Sequence, residues 1–200
     1  TIWGQPLEPR ERALAGTALN LLLGCRDELA GNPQYEFDLV SLMRDLISAR
    51  NHDVVQAMHA AWEEGDQGRL DARFRELKRQ MRDVERLVGT QEEFLLGRWI
   101  AAARARADNP DDADLYEFNA RNIITLWGHE RRNIRDYAYR HWQGLISDYY
   151  IPRWERFVEY LRAQPEGASF DRAAAKRHMV EFEADWCRRH NTFPTEAAGD

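Results

Sequence analysis

From residue 70 onward, apolar side chains return in alternating steps of four and three: Leu70, Phe74, Leu77, Met81, Val84 and Val88. That spacing gathers them on one face of an α-helix, whereas a strand would scatter them to both faces. A helix ending at Gly89 is predicted, with one face buried and the other solvated. The same period runs, less cleanly, through almost the whole chain, and no alternating run stands between turn formers as a strand requires. The chain therefore reads as all-α, a single domain over residues 1–200 built as an elongated bundle of about six to eight helices.

Breakers divide the pattern. A first helix is expected from Glu8-Pro9 to Gly31-Asn32-Pro33, and a second carries Leu39, Leu42, Met43, Leu46 and Ile47 on through Val55, Met58 and Trp62 to Gly65. Thr90 followed by Glu93 resembles a capping box opening the next helix, which presents Phe94, Leu95 and Trp99 and stops at Asn109-Pro110. Another helix is read from Asp112 to Trp127, then a charged loop, then helix from Asn133 to Arg162, kinked or divided where Pro152 lacks its N–H. Ser169 is expected to cap a last helix through Phe182 and Trp186, with a frayed tail after Asn191. No internal repeat or low-complexity tract interrupts this order.

A net charge of −6 argues against a nucleic-acid partner, since phosphate neutralisation needs a basic face. Lysine occurs only at Lys78 and Lys176, so the positive charge is nearly all arginine, commonly four residues from Asp or Glu, as on solvated helix faces. No apolar run reaches the roughly 18 residues of a membrane span, so no membrane partner is expected. The two cysteines, Cys25 and Cys187, build neither a disulfide framework nor a metal knuckle, and both read as core residues.

Chemistry-bearing motifs are few. No histidine follows a glutamate by three, the mark of bundle di-metal sites, and His129-Glu130 lacks the second histidine of a zinc helix because Asn133 holds that place. His52 and His59 share a face without a third ligand. Neither metal nor other cofactor is expected. No nucleophile elbow or phosphate loop occurs, and no carboxylate pair is marked for glycoside chemistry. Trp99, Trp142, Trp154 and Trp186 fall on apolar helical faces and read as packing. Trp3 precedes the first helix, where periodicity guarantees no burial, so it is either a staple or a ligand contact. Trp127, ahead of a glycine loop, faces core or cleft beside a Glu117–Arg121 helical pair.

The run Tyr116-Glu117-x-Asn119-x-Arg121, then Thr125-Leu126-Trp127-Gly128, Asp136-Tyr137-Ala138 and Tyr150-x-Pro152-Arg153-Trp154 resembles the C-terminal helical domain of α-N-acetylglucosaminidases, glycoside hydrolase family 89. The resemblance extends upstream through Phe94-Leu95-Leu96-Gly97-x-Trp99, Phe37-Asp38-Leu39 with Arg44, and Ile2-Trp3. One departure is a loop after Trp127-Gly128 that is one residue longer, with His129 where proline is common. The resemblance implies an exo-acting retaining glycosidase acting on terminal α-linked N-acetylglucosamine, whose catalytic glutamates sit on an upstream barrel. This segment would be inactive alone, would pack on that barrel and would wall the sugar cleft.

In that family Trp3 is similar to a tryptophan lining the sugar pocket, with Trp127 a second candidate. Asp38, Arg44, Tyr116, Glu117, Asn119, Arg121, Gly128, Asp136, Tyr137, Pro152, Arg153 and Trp154 form the shared structural motif. The resemblance also implies a secreted, periplasmic or lysosomal parent protein. The alternatives are a free-standing helical interaction module without a sugar site and, disfavoured because bundles seldom offer an open aromatic platform, an independent carbohydrate-binding module.

Overall fold

The four-and-three stripe becomes the buried face of α4 (Gln67–Val88), with Leu70, Leu77, Met81, Val84 and Val88 fully shielded and Phe74 nearly so. Each such side chain contributes about 1.5–3 kcal/mol when taken out of water, so this one face outweighs any local helix propensity. The computed structural model describes residues 7–129, 137–138, 140–165 and 167–198. Trp3 and Asp136 lie outside the described residues.

Among the described residues there are eight α-helices and no strand. After α1 (Pro9–Gly24) and the short α2 (Arg26–Leu29) comes α3 (Pro33–Glu63), capped by the Asn32 side chain accepting from the Gln34 and Tyr35 amides. Its 31 residues span about 46 Å at 1.5 Å each. A tight turn at Gly65-Asp66 folds α4 back along it, and the Asp66 carboxylate caps α4 through the Arg69 amide at 2.8 Å. α1 lies on α3, tied by Arg12 to Asp53 at 2.6 Å. α5 (Leu96–Arg104) pairs with α6 (Pro110–Ile123), and α7 (Ile151–Arg162) with α8 (Arg172–Cys187). Met58, Leu77, Met81, Ile146, Tyr149, Val158 and Trp186 share the core between them.

Several boundaries differ from expectation for local reasons. The first helix breaks at Cys25, whose backbone leaves helical geometry, and Cys25 is exposed rather than buried. Thr90 caps nothing: its hydroxyl donates to the Leu87 carbonyl, and a single 3-10 turn, Glu92–Phe94, precedes α5. α6 ends at Ile123, short of Trp127. Residues 140–144 are not helical. The chain re-enters helix at Leu145 through a π turn, Ile146–Tyr150, that leads into α7. Pro152 sits in the first turn of α7, directly after the π turn, where a missing N–H is tolerated. Asp171, not Ser169, caps α8, accepting from the Ala173 and Ala174 amides at 2.8 and 3.0 Å.

The expected frayed tail is instead docked. Phe193 packs on the core, the Ala198 amide donates to the Gly89 carbonyl at 2.9 Å, and the chain crosses α5 so closely at Gly97 that a Cβ there would collide with the Pro194 carbonyl. Glycine is required at that crossing by space alone.

Candidate functional site

The stretch that ends α6 also builds the most unusual backbone among the described residues. After Ile123, Thr125 and Leu126 turn inward and are buried, the Thr125 hydroxyl donating to the Arg121 carbonyl at 2.7 Å. Trp127 then adopts φ 54°, the left-handed region, and among the described residues it is the sole non-glycine to do so. For a bulky side chain this conformation costs on the order of 1–2 kcal/mol and persists only when its surroundings impose it. They do: Asn122 brackets the turn, accepting from the Gly128 amide at 2.7 Å and donating to the Gly128 carbonyl at 3.0 Å, while the Trp127 amide donates to the Asn122 carbonyl at 2.8 Å.

The indole stays partly exposed. Trp127 is half-buried and its ring meets Tyr137 with centroids 5.0 Å apart, and Tyr137 is 68% exposed. The outer face of α6 leads to this aromatic edge with Leu115, Tyr116, Asn119 and Ile123, all exposed. The motif positions Tyr116, Asn119, Gly128 and Tyr137 are thus all exposed, whereas Glu117 and Arg121 face inward.

Behind the turn lies a buried charge network. Glu117, 2% exposed, accepts from Arg121 Nε at 2.8 Å and from Arg104 Nη1 at 2.7 Å, and His190 Nδ1 lies 3.1 Å away. Burial pushes the Glu117 carboxyl up, but the hydrogen bonds from His190 and Arg121 outweigh it and hold the group below the ordinary carboxylate range. Arg121 in turn donates to the Asn191 carbonyl at 2.9 Å and stacks between Trp186 and Phe193, which fastens the docked tail to α6. Asp114, Glu117 and His190 place ligand-type atoms within 4.8 Å of one another. Arg104 Nη1 already lies on both carboxylates, 2.8 Å from Asp114 and 2.7 Å from Glu117, so a guanidinium supplies the cation there.

The second inward pair is Arg153 Nε to Glu183 at 2.6 Å, with Trp154 buried next to it against Phe157. These pairs correct the reading of the arginines as surface partners only. Each of these two buried glutamates is ion-paired with an arginine, which suits a structural role. The other motif positions are modest: Asp38 is exposed and accepts from Gln34, and Arg44 lies over the Phe94 ring. Of the four tryptophans read as packing, Trp154 and Trp186 are buried and Trp142 half-buried. Trp99 is 40% exposed, because α5 buries Leu96, Gly97 and Ile100 and so turns residue 99 aside. Arg104 and His190 were missed as network members; 13 and 73 residues from Glu117, they leave no local signal.

The described residues thus form an all-α bundle with a strained aromatic turn at Trp127 and with Glu117 and Glu183 paired to arginines. Residues 11–200 match the sequence profile of the family described as the alpha-N-acetylglucosaminidase (NAGLU) C-terminal domain. The chain belongs to that family. It is 30% identical over 192 residues to human alpha-N-acetylglucosaminidase, with 92% of this chain aligned to 25% of that protein. Among solved structures it resembles a family 89 glycoside hydrolase from Clostridium perfringens in complex with PUGNAc. There the TM-score is 0.83 and the identity 26%, over all of this chain and 23% of the other. A second structure of the C. perfringens protein, carrying two glutamate-to-glutamine substitutions and bound to its substrate GlcNAc-α-1,4-galactose, matches with TM-score 0.76 and 27% identity. It covers 92% of this chain and 21% of the other. The chain thus spans about a quarter of the length of these relatives.

Proposed function

We propose that this chain serves as the C-terminal domain of an exo-acting retaining α-N-acetylglucosaminidase, packed against a preceding catalytic barrel and forming one wall of the sugar cleft. The observation that carries this reading is the left-handed backbone of Trp127. A scaffold has no use for a strained, outward indole, whereas a sugar pocket needs a fixed apolar face against one side of the pyranose ring. Asn122 and Gly128 fix the backbone of the turn before ligand arrives, so little backbone ordering is left to be done on binding.

On this reading the reaction is run by two glutamates of the barrel. One attacks the anomeric carbon while the other protonates the departing oxygen, then takes a proton from the water that releases the sugar. This chain's residues bind and orient. Trp127, and Trp3 from the stretch before α1, contact the terminal α-linked N-acetylglucosamine. Leu115, Tyr116 and Ile123 give the outer face of α6 its grip on the barrel. The parent protein would work outside the cytosol, in a secreted, periplasmic or lysosomal setting where such glycans occur.

The test compares hydrolysis of a chromogenic α-N-acetylglucosaminide by the full-length parent protein, by its Trp3→Ala variant, and by this chain alone. Turnover by the parent, a loss of about tenfold or more in kcat/KM for the folded variant, and none by the chain are expected. Turnover by this chain alone would overturn the reading.

A further inference from the structure

Apart from the Trp127 turn, the cluster around Trp99 and Trp142 has the composition of a ligand groove. Trp99 and Trp142 are 43 positions apart in sequence, yet their indole centroids stand 5.7 Å apart with the rings tilted by 54°. A short parallel bridge brings them together: the Leu96 amide donates to the Gln143 carbonyl at 3.1 Å, and the Gln143 amide to the Phe94 carbonyl at 2.8 Å. The Trp99 ring is further fixed by its Nε1–H donating to the Ala120 carbonyl at 2.9 Å. The groove beside them, about 330 Å³, is edged by Glu92, Glu93 and Arg98, with Arg98 ion-paired to Glu92. Arg140 lies over the Trp142 ring at 5.7 Å.

These features agree on one kind of occupant. The indole N–H of Trp99 is satisfied inside the protein, so what the ring offers outward is apolar surface. That exposure is unfavourable in water and suits the C–H face of a pyranose. The carboxylate of Glu93 accepts from ring hydroxyls, and the guanidinium of Arg98 donates to them, so polar edges flank the apolar floor in the arrangement small-ligand sites use. An anion would meet two carboxylates at the rim, and a bare cation would leave the indole faces wet. The Trp99 ring is held by its hydrogen bond to Ala120 and Trp142 packs against it, which limits the rotamer freedom lost on binding.

We propose that the Trp99–Trp142 groove is a saccharide-binding subsite, separate from the Trp127 edge, that takes a neutral pyranose unit of the glycan. It holds that unit through indole stacking, with Glu93 and Arg98 on the hydroxyls. The proposal rests on the glycosidase reading only for the choice of sugar. It reverses the expectation that this bundle lacks an open aromatic platform.

The test uses the 15N-labelled 200-residue chain and follows its indole N–H signals in titrations with N-acetylglucosamine and with galactose, to about 50 mM since single-sugar sites bind in the millimolar range. Trp142→Leu assigns one signal by its loss and Trp99→Phe the other. Saturable shifts of both signals, with the buried Trp154 and Trp186 unmoved, are expected for at least one sugar. Trp142→Leu, which leaves the Trp99 hydrogen bond in place, is expected to weaken binding about tenfold while circular dichroism stays unchanged. Signals that stay still with both sugars, or that move equally with the acyclic polyol xylitol, would overturn the subsite. Neither result touches the glycosidase reading, which stands or falls on hydrolysis by the parent protein.

Discussion

Glu117 shows how single residues in this bundle couple stability to charge. Its carboxylate is buried with Arg121 fully shielded beside it, so removing the negative charge strands a guanidinium in the interior. Glu117→Gln is expected to cost about 3 kcal/mol or more in denaturant unfolding, several times the effect of an exposed pair such as Arg188–Asp185. Because the folded Glu117 sits below the ordinary range, its contribution is present above that range and is lost as the solution is acidified. His141 acts in the same direction for a different reason. Burial, with Arg44 nearby, lowers the imidazole from 6.5 to about 4, so between those values the unfolded chain binds a proton that the folded chain refuses. Stability is expected to be full above pH 6.5 and to fall as pH drops towards 4. The same melting series on His141→Gln should be flatter over that window, and an unchanged slope would remove His141 from the account.

At the level of elements, the α8 cap gives a clean comparison between what the sequence suggests and what geometry selects. Asp171→Ala should cost about 1 kcal/mol, since its carboxylate serves two amides, whereas Ser169→Ala should leave the melting temperature unchanged. Equal effects would mean the cap is misplaced. The reason Ser169 looked attractive is that both residues precede the same apolar run, and local chemistry alone does not decide between neighbouring caps. Long periodic elements were legible for the opposite reason: the stripe from Leu70 to Val88 and the turn at Gly65 leave α4 no competing register. Short elements were not. In α5 the core side is taken by Leu96, Gly97 and Ile100, following the buried Leu95, which turns a presumed core tryptophan, Trp99, outward. The docked tail carries no period at all. Its place is set by Arg121, Gly97 and Gly89, contacts that sequence distance hides.

For the whole molecule, the site was half legible. The Trp127-Gly128 pair marked a turn, but only backbone geometry reveals that the tryptophan, not the glycine alone, pays for a left-handed conformation and emerges beside Tyr137. The central claim is that this edge meets the sugar. Trp127→Asn tests it with little backbone penalty, because asparagine tolerates that conformation far better than other side chains. The measurement is calorimetric binding of PUGNAc, the ligand held by the Clostridium perfringens relative, to the full-length parent protein and to this variant. The account expects an unchanged melting temperature and affinity lower by about tenfold or more, the loss of one stacked aromatic face. Equal affinity in a folded variant would contradict it and leave the helical domain as a scaffold behind the barrel.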